Sequence, residues 1–504
     1  MERHAPTLHD RTFAPAVLDR LALELGELRQ ELLAREAELA DLLDSVHPRN
    51  QPSARNLVHY LALRRRDLRA LQLRLARLGL SSLGRSESHV LVTIDRILTM
   101  LALARGTTPP DAEPPPVGFR QGERVLAANT RRLLGPRPRH RAVRIIVTLS
   151  SEAAEDPRFA YDLVGAGMDC ARINCARDDA AVWAAMADNI RAAKRAHGRD
   201  CKILVDLSGA RPRTGAIADG AKRLLLSVGD RFELVAQDSG VPTRDGSLPR
   251  IAFTAPEILS DLRPGLPIWF DDGRIGGVIE ERTADGLLIR VTNAKPDGSK
   301  LRSARGINLP GTTLSLPALT EKDLHDLGAI VSWADAIELS FVQRPEAVLA
   351  LHEALRRHDA DHVGVILKVE TRSGFADLPR LLLAAMQRRS CGVMIARGDL
   401  AVETGFERMA EVQEEILWIA EAAHVPTIWA TQVLDDLAKE GSLSRAEMTD
   451  AAMSARAEAV MLNRGAFVID AIGTLDDILG RMKEHQSKKR SLFRALRVSG
   501  SLWE

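Results

Sequence analysis

Residues 391–403 read CGVMIARGDLAVE. An apolar run from Val393 to Ala396 stops abruptly in Arg397, Gly398 and Asp399. Short apolar runs bounded by turn residues are read as buried strands. A strand needs no carboxylate at its end, and a glycine beside one lets another molecule approach the backbone closely. A simple turn accounts for one such site equally well, so the reading depends on whether the pattern recurs.

It recurs along the chain. Runs of the same kind are VRIIVT (143–148), DCARI (169–173), KILVD (202–206), ADAIEL (334–339), VGVILK (363–368), GVMIA (392–396), PTIWA (426–430) and EAVML (458–462), most followed by a helical stretch. Eight such units predict an α/β fold, a (β/α)8 TIM barrel, over 141–215 and 307–485. Between the third and fourth units, residues 216–306 change character. RLLLSVGDRFELV, GLPIWFDDGRIGGVI and GLLIRV are short strands with Asp-Gly and Gly-Gly turns, which predicts an inserted small β-domain lying as a lid over the barrel mouth.

The first 104 residues predict an all-α helical region. Leu18, Leu21, Leu25, Leu28, Leu32, Leu39 and Leu42 follow heptad spacing, as do Leu57, Leu61, Leu68, Leu71, Leu75 and Leu78 behind Ser53, a candidate N-cap. A third helix is predicted over Ser86 to Leu103. An antiparallel bundle and a coiled coil that pairs with another subunit both fit this pattern. RGTTPPDAEPPPVGF opens a stretch, 105–140, that reads as a proline-rich linker, so the helical region is expected to be separable from the barrel. Residues 486–504 read as a C-terminal tail.

The composition narrows the function classes. The 504 residues carry a formal net charge of +1 with 27% charged residues, which gives no reason to expect nucleic acid or an anionic membrane as partner. Four cysteines without CxxC spacing indicate neither a zinc site nor a disulfide framework, and point to a reducing cytoplasm. The longest apolar run, from Val90, is broken by Asp95 and Arg96 and is too short to span a bilayer.

Chemistry in such a barrel sits at the C-terminal ends of the strands. Those ends carry Arg172 and Asn174 (second), Asp206 (third), Lys368 and Glu370 (fifth), Asp399 (sixth), and Thr431 and Gln432 (seventh). Buried charges are costly unless paired or bound to metal. Glu370 and Asp399 are hard oxygen ligands suited to a divalent cation, and Lys368 and Arg172 suit anionic oxygens. A salt-bridge network lining the barrel is the structural alternative.

The same residues carry a family resemblance. VILKVETRSG (365–374), MIARGDLAVE (394–403), WATQVLDDL (429–437), SRAEMTDAA (444–452) and RGINLPGTTLSLPALTEKD (305–323) resemble signatures of the pyruvate kinases, in the order that family has them. AGMDCARIN (166–174) and VDLSGARPRTG (205–215) resemble two more, and WFDDGRIGGVIEE (269–281) resembles the inserted lid. The resemblance implies phosphoenolpyruvate and ADP as substrates, pyruvate and ATP as products, and Mg²⁺ or Mn²⁺ held by Glu370 and Asp399. It implies that Lys368 stabilises the transferring phosphoryl group and the enolate, and that Arg172 contacts phosphoryl oxygens. Gly398, Asp399 and Thr431 would face the substrate, with Arg213, Asn174 and Arg305 on the nucleotide side. A cytoplasmic homo-oligomer is expected. Asn174 and Asp206 match ligands of the family's potassium site. Arg211 stands where potassium-dependent members carry glutamate, so its fixed positive charge is expected to replace the ion.

The sequence also departs from the family. Ala176 and Arg177 replace a serine and a histidine, Ser208 replaces a lysine, and Asn463–Arg464–Gly465–Ala466 replaces the usual SGET. The family's C-terminal domain is not recognisable, and the N-terminal helices lie outside the common pattern. Two rival readings remain: another enolpyruvate-type enzyme acting on a different small acid, and a non-catalytic metabolite sensor.

Overall fold

The computed structural model describes residues 14–491 apart from 110, 112, 237–247, 313, 315 and 489. The tail expected from 486 therefore lies, beyond Ser491, outside the described residues. Eight parallel strands close into a barrel: Arg144–Thr148, Cys170–Asn174, Lys202–Asp206, Ala336–Leu339, Gly364–Val369, Cys391–Ala396, Thr427–Ala430 and Ala459–Leu462. Each expected strand is present to within two residues at either end.

Side chains alternate along a strand with period two, and this alternation builds the barrel interior in layers. Ile146, Cys170, Leu204, Ala336, Ile366, Met394, Ile428, Ala459 and Met461 form an apolar layer. Moving two residues on along the same faces leads from Cys170 to Arg172, from Leu204 to Asp206, from Ala336 to Glu338 and from Ile366 to Lys368. The register pairs Glu338 with Asp206 and Asn174 with Asp206 on adjacent strands. The polar set at the mouth thus follows from pleat and register. The alternate residues, such as Ile203, Val205, Ile337, Val365 and Leu367, face outward and pack under the helices.

The stretch 105–140, expected as a linker, contains the helix Gln121–Leu134. Its Leu133 and Leu134 join the apolar layer and close the end of the barrel opposite the mouth. A Cβ at Gly364 or Gly392 would lie 2.5 Å from a Leu133 methyl, so glycine at both positions admits that plug.

The N-terminal region forms the helices Pro15–Glu38, Ala40–Ser45, Gln51–Leu63, Arg69–Arg77 and Val90–Ala104. The second leucine repeat is therefore two helices, interrupted by an exposed Arg64–Arg65–Arg66–Asp67 segment. Ser53 is not a cap: it lies buried inside the helix, and its Oγ sits 2.9 Å from His424 Nδ1. The region is docked on the barrel, contrary to the expectation of separability. Asn50 donates to the carbonyls of Met386 and Arg388 at 3.0 and 2.8 Å, and Asn56 donates to Ala422 O at 2.8 Å. His424 Nε2 meets Ser88 O at 2.9 Å. One continuous hydrophobic core runs from Leu18 through the outer barrel layer.

The inserted domain is a seven-stranded sheet with its own core around Phe232, Phe253 and Phe270. Its sheet also takes in Thr214–Ile217 at one end and Ile307–Asn308 at the other.

Candidate active site

A crevice of about 180 Å³ at the barrel mouth is lined by Arg172, Asn174, Asp206, Arg211, Arg213, Lys368, Glu370, Asp399 and Thr431, among others. Most of the residues expected at the site are therefore brought together. Arg305 is not: it lies at the base of the inserted domain, half-exposed, 3.4 Å from Asp271.

Lys368 is the hub. Its Nζ lies 2.8 Å from Asp206 Oδ1, 2.8 Å from Ser340 Oγ and 3.1 Å from Glu370 Oε1. Burial alone lowers an ammonium's pKa, but the carboxylates of Asp206 and Glu370 outweigh it and hold Lys368 above its ordinary value. Arg172 is equally buried, with Nη2 2.5 Å from Asp206 Oδ2, Nε 2.7 Å from Glu338 Oε2 and Nη1 3.1 Å from Thr148 Oγ1. Against the same burial penalty, Asp206 and Glu338 raise it too. Both cations are thus fixed in place and permanently charged, aimed at a space open to a ligand.

Glu370 is pushed upward, first by burial and also by the negative charge of Asp399, with Lys368 opposing. Two carboxylates that repel one another across a crevice are a fitting pair for a divalent cation. Among the described residues no group of three or more His, Cys, Asp or Glu side chains is arranged to hold a metal. Glu370 and Asp399 are hard oxygen donors of the kind that suits Mg²⁺ or Mn²⁺, which take one or two protein carboxylates and complete their shell with substrate oxygens and water. Asp399 Oδ1 is engaged by Arg211 and, at 3.2 Å, by Asn308 Nδ2, while no hydrogen bond to Oδ2 is formed among the described residues.

Arg211 does not point to solvent. Its guanidinium is largely buried, pairs with Asp399 of the barrel and, at 3.0 Å, with Asp272 of the inserted domain, and lies 5.2 Å over the Phe341 ring. Gly398 N donates to Thr431 Oγ1 at 2.8 Å, so these two residues hold each other. A Cβ at Gly398 would make only ordinary contact, at 3.6 Å from Thr431 Oγ1, so packing by the protein does not require glycine there.

Several residues of the site went unnoticed in the sequence. Glu338, fully buried under Arg172, is the last residue but one of the fourth strand, and the period-two relation to Ala336 marks it as inward-facing. Ser340 and Asn308 had no comparable signal. Thr431 adopts φ 66° and Gln432 φ 55°, a conformation that a β-branched threonine rarely takes. Arg397 holds it: Nη2 donates to Thr431 O at 2.5 Å, Nε to Ala430 O at 3.0 Å, and the fork is bidentate on Asp450. That pairing explains the Arg397 of the opening stretch. Glu403, four residues after Asp399, accepts from Leu309 N at 3.2 Å, and burial pushes it up to about 7.

At the rim, Arg177 and Arg464 face the same small crevice beside Asn174. Neither side chain forms an ion pair among the described residues. Burial and Arg177 lower Arg464, with Asp178 opposing, and burial, Arg211 and Arg177 all act to lower Arg213.

The chain resembles known proteins. The family model described as "Pyruvate kinase, barrel domain" matches residues 140–468. The chain belongs to the pyruvate kinase family. It is 32% identical over 370 residues to the pyruvate kinase of Bacillus licheniformis, covering 72% of this chain and 61% of that protein. Identity is 32% to the enzyme of Geobacillus stearothermophilus, covering 68% and 57%, and 34% to that of Methylorubrum extorquens, covering 68% of each. The chain thus spans somewhat less than two thirds of the first two relatives. No helix among the described residues is long and apolar enough to cross a membrane.

Proposed function

We propose that this chain is a phosphotransferase that moves the phosphoryl group of phosphoenolpyruvate to ADP, giving pyruvate and ATP. The observation that carries the reading is Lys368, buried yet held charged between Asp206 and Glu370 with Arg172 alongside. Phosphoryl transfer asks little covalent chemistry of a protein and much positioned positive charge. Arg172 binds the phosphoryl oxygens of the donor. Lys368 stabilises the charge that grows on the bridging oxygen as its bond to phosphorus breaks, and the enolate left behind takes a proton at carbon to become pyruvate. Glu338 and Asp206 lock the guanidinium of Arg172 so that no reorientation is needed during transfer.

Glu370 and Asp399 would hold Mg²⁺ or Mn²⁺. The ion, when bound, supplies further positive charge to the phosphoryl and enolate oxygens. Thr431, fixed by Arg397 and Gly398, faces the substrate carboxylate, and Arg213 with Asn174 faces the acceptor phosphates. Arg211 already supplies a fixed cation next to Asp399, so potassium is dispensable in this reading.

A second reading, an acceptor other than ADP, is favoured by Arg177 and Arg464, two rim cations at motif positions where the family usually carries other residues. Pyruvate release followed with lactate dehydrogenase and NADH, over a panel of nucleoside diphosphates, tests both. Pyruvate formed with ADP supports the first reading. No pyruvate with any diphosphate overturns it.

A further inference from the structure

The N-terminal region carries a cavity unrelated to the barrel mouth. About 370 Å³ of space opens between the start of helix Val90–Ala104 and Phe119, within the size range of small-molecule sites. Its floor is apolar, made by Leu80, Ile97 and Met100, and none of the described residues lining it is acidic. One wall is an aromatic stack. Phe119 lies against the His89 ring with centroids 4.4 Å apart, and the Arg96 guanidinium stands over the phenyl ring, 4.7 Å from its centroid.

Two arginines, Arg85 and Arg96, line the cavity, and Arg96 is the one over the phenyl ring. Stacking occupies the face of a guanidinium and leaves the N–H edge free to donate. Arg96 forms no hydrogen bond or ion pair among the described residues, so within them that edge has no acceptor. Met100 and Phe119 are 53% and 43% exposed, an unusual position for large apolar side chains beside such a cation. A planar carboxylate matches the fork of an arginine, and an apolar body matches the floor.

We propose that this pocket binds a small amphipathic anion, an aryl or short alkyl carboxylate, with its acid group on Arg96 and its apolar body against Ile97 and Met100. Ser88, the residue before His89, accepts from His424 of the barrel, so one wall of the cavity is a single residue from a docking contact.

The test uses the full chain and two probes of equal shape, 2-naphthoate and 2-naphthylmethanol, in calorimetric titrations. Naphthoate is expected to bind one per chain and about tenfold more tightly than the alcohol, the scale of one charge-assisted contact. Arg96→Gln, an exposed substitution, is expected to erase that difference, and Phe119→Leu to weaken both probes. Absence of naphthoate binding, equal binding of the two probes, or a preference that survives Arg96→Gln overturns the proposal. A concentration-dependent dimer abolished by Met100→Glu also overturns it, because a second copy would then cover the floor.

Discussion

Arg211 and Asp399 form an ion pair across the barrel mouth, and the same Arg211 nitrogen reaches Asp272 of the inserted domain at 3.0 Å. A permanently charged group thus sits beside the candidate metal ligand, and the proposed function takes it, rather than a soluble monovalent cation, as the source of positive charge there. Activity in potassium chloride and in tetramethylammonium chloride at equal ionic strength is expected to be similar. Arg211→Glu should be inactive without potassium. Strong stimulation of the unaltered chain by potassium would contradict the assignment.

Glu370→Ala and Asp399→Ala should each weaken Mn²⁺ binding at least about tenfold, since loss of even an outer-shell partner costs that much in metal sites. Titration of Mn²⁺ followed by electron paramagnetic resonance measures it. Unchanged affinity in both variants would make the carboxylates purely structural partners of Lys368 and Arg211.

His424 links docking to pH. It is fully buried, and burial pushes its ionisation down to about 4. In the unfolded chain the group titrates near its usual value of about 6.5. Between these values the unfolded chain binds a proton that the folded chain refuses, so stability is full above about 6.5 and falls as the pH drops toward 4. The complete loss is roughly 3 kcal/mol. Thermal melts at pH 7 and pH 5 should show a drop in Tm that is smaller in His424→Gln.

Much of the fold was legible because periodicity is local. Strand limits, the inserted domain and the polar strand ends all follow from runs of a few residues. The docking of the helical region was not legible, since it rests on side chain to backbone bonds such as Asn56 to Ala422, 366 residues apart. Prolines near 109–116 gave the appearance of a linker and hid the helix that plugs the barrel. At the site, Lys368, Glu370 and Asp399 stood out as charges ending apolar runs. Glu338 was overlooked inside ADAIEL, although its same-face relation to Ala336 was readable. Arg397 was noticed and left unexplained, because its partner Asp450 is 53 residues away.

The docked arrangement makes its own prediction. Residues 105–109 and 113–114 are exposed or nearly so, and protease should cut there. The two fragments are expected to co-elute in gel filtration, held by the shared core and the contacts of Asn50, Asn56 and His424. Fragments that separate without denaturant would restore the independent-domain reading.

The central claim is that Lys368 serves phosphoryl transfer. Lys368→Met leaves Asp206 paired with Arg172, while Glu370, already raised by burial, can take up a proton, so the circular dichroism spectrum should persist with a lower Tm. Phosphorus NMR of phosphoenolpyruvate, ADP and Mg²⁺ with the unaltered chain should show the phosphoenolpyruvate signal replaced by the γ-phosphate of ATP, and with Lys368→Met the rate should fall roughly 10³-fold. Conversion at an undiminished rate by the folded Met variant, or no ATP from the unaltered chain, would contradict the account.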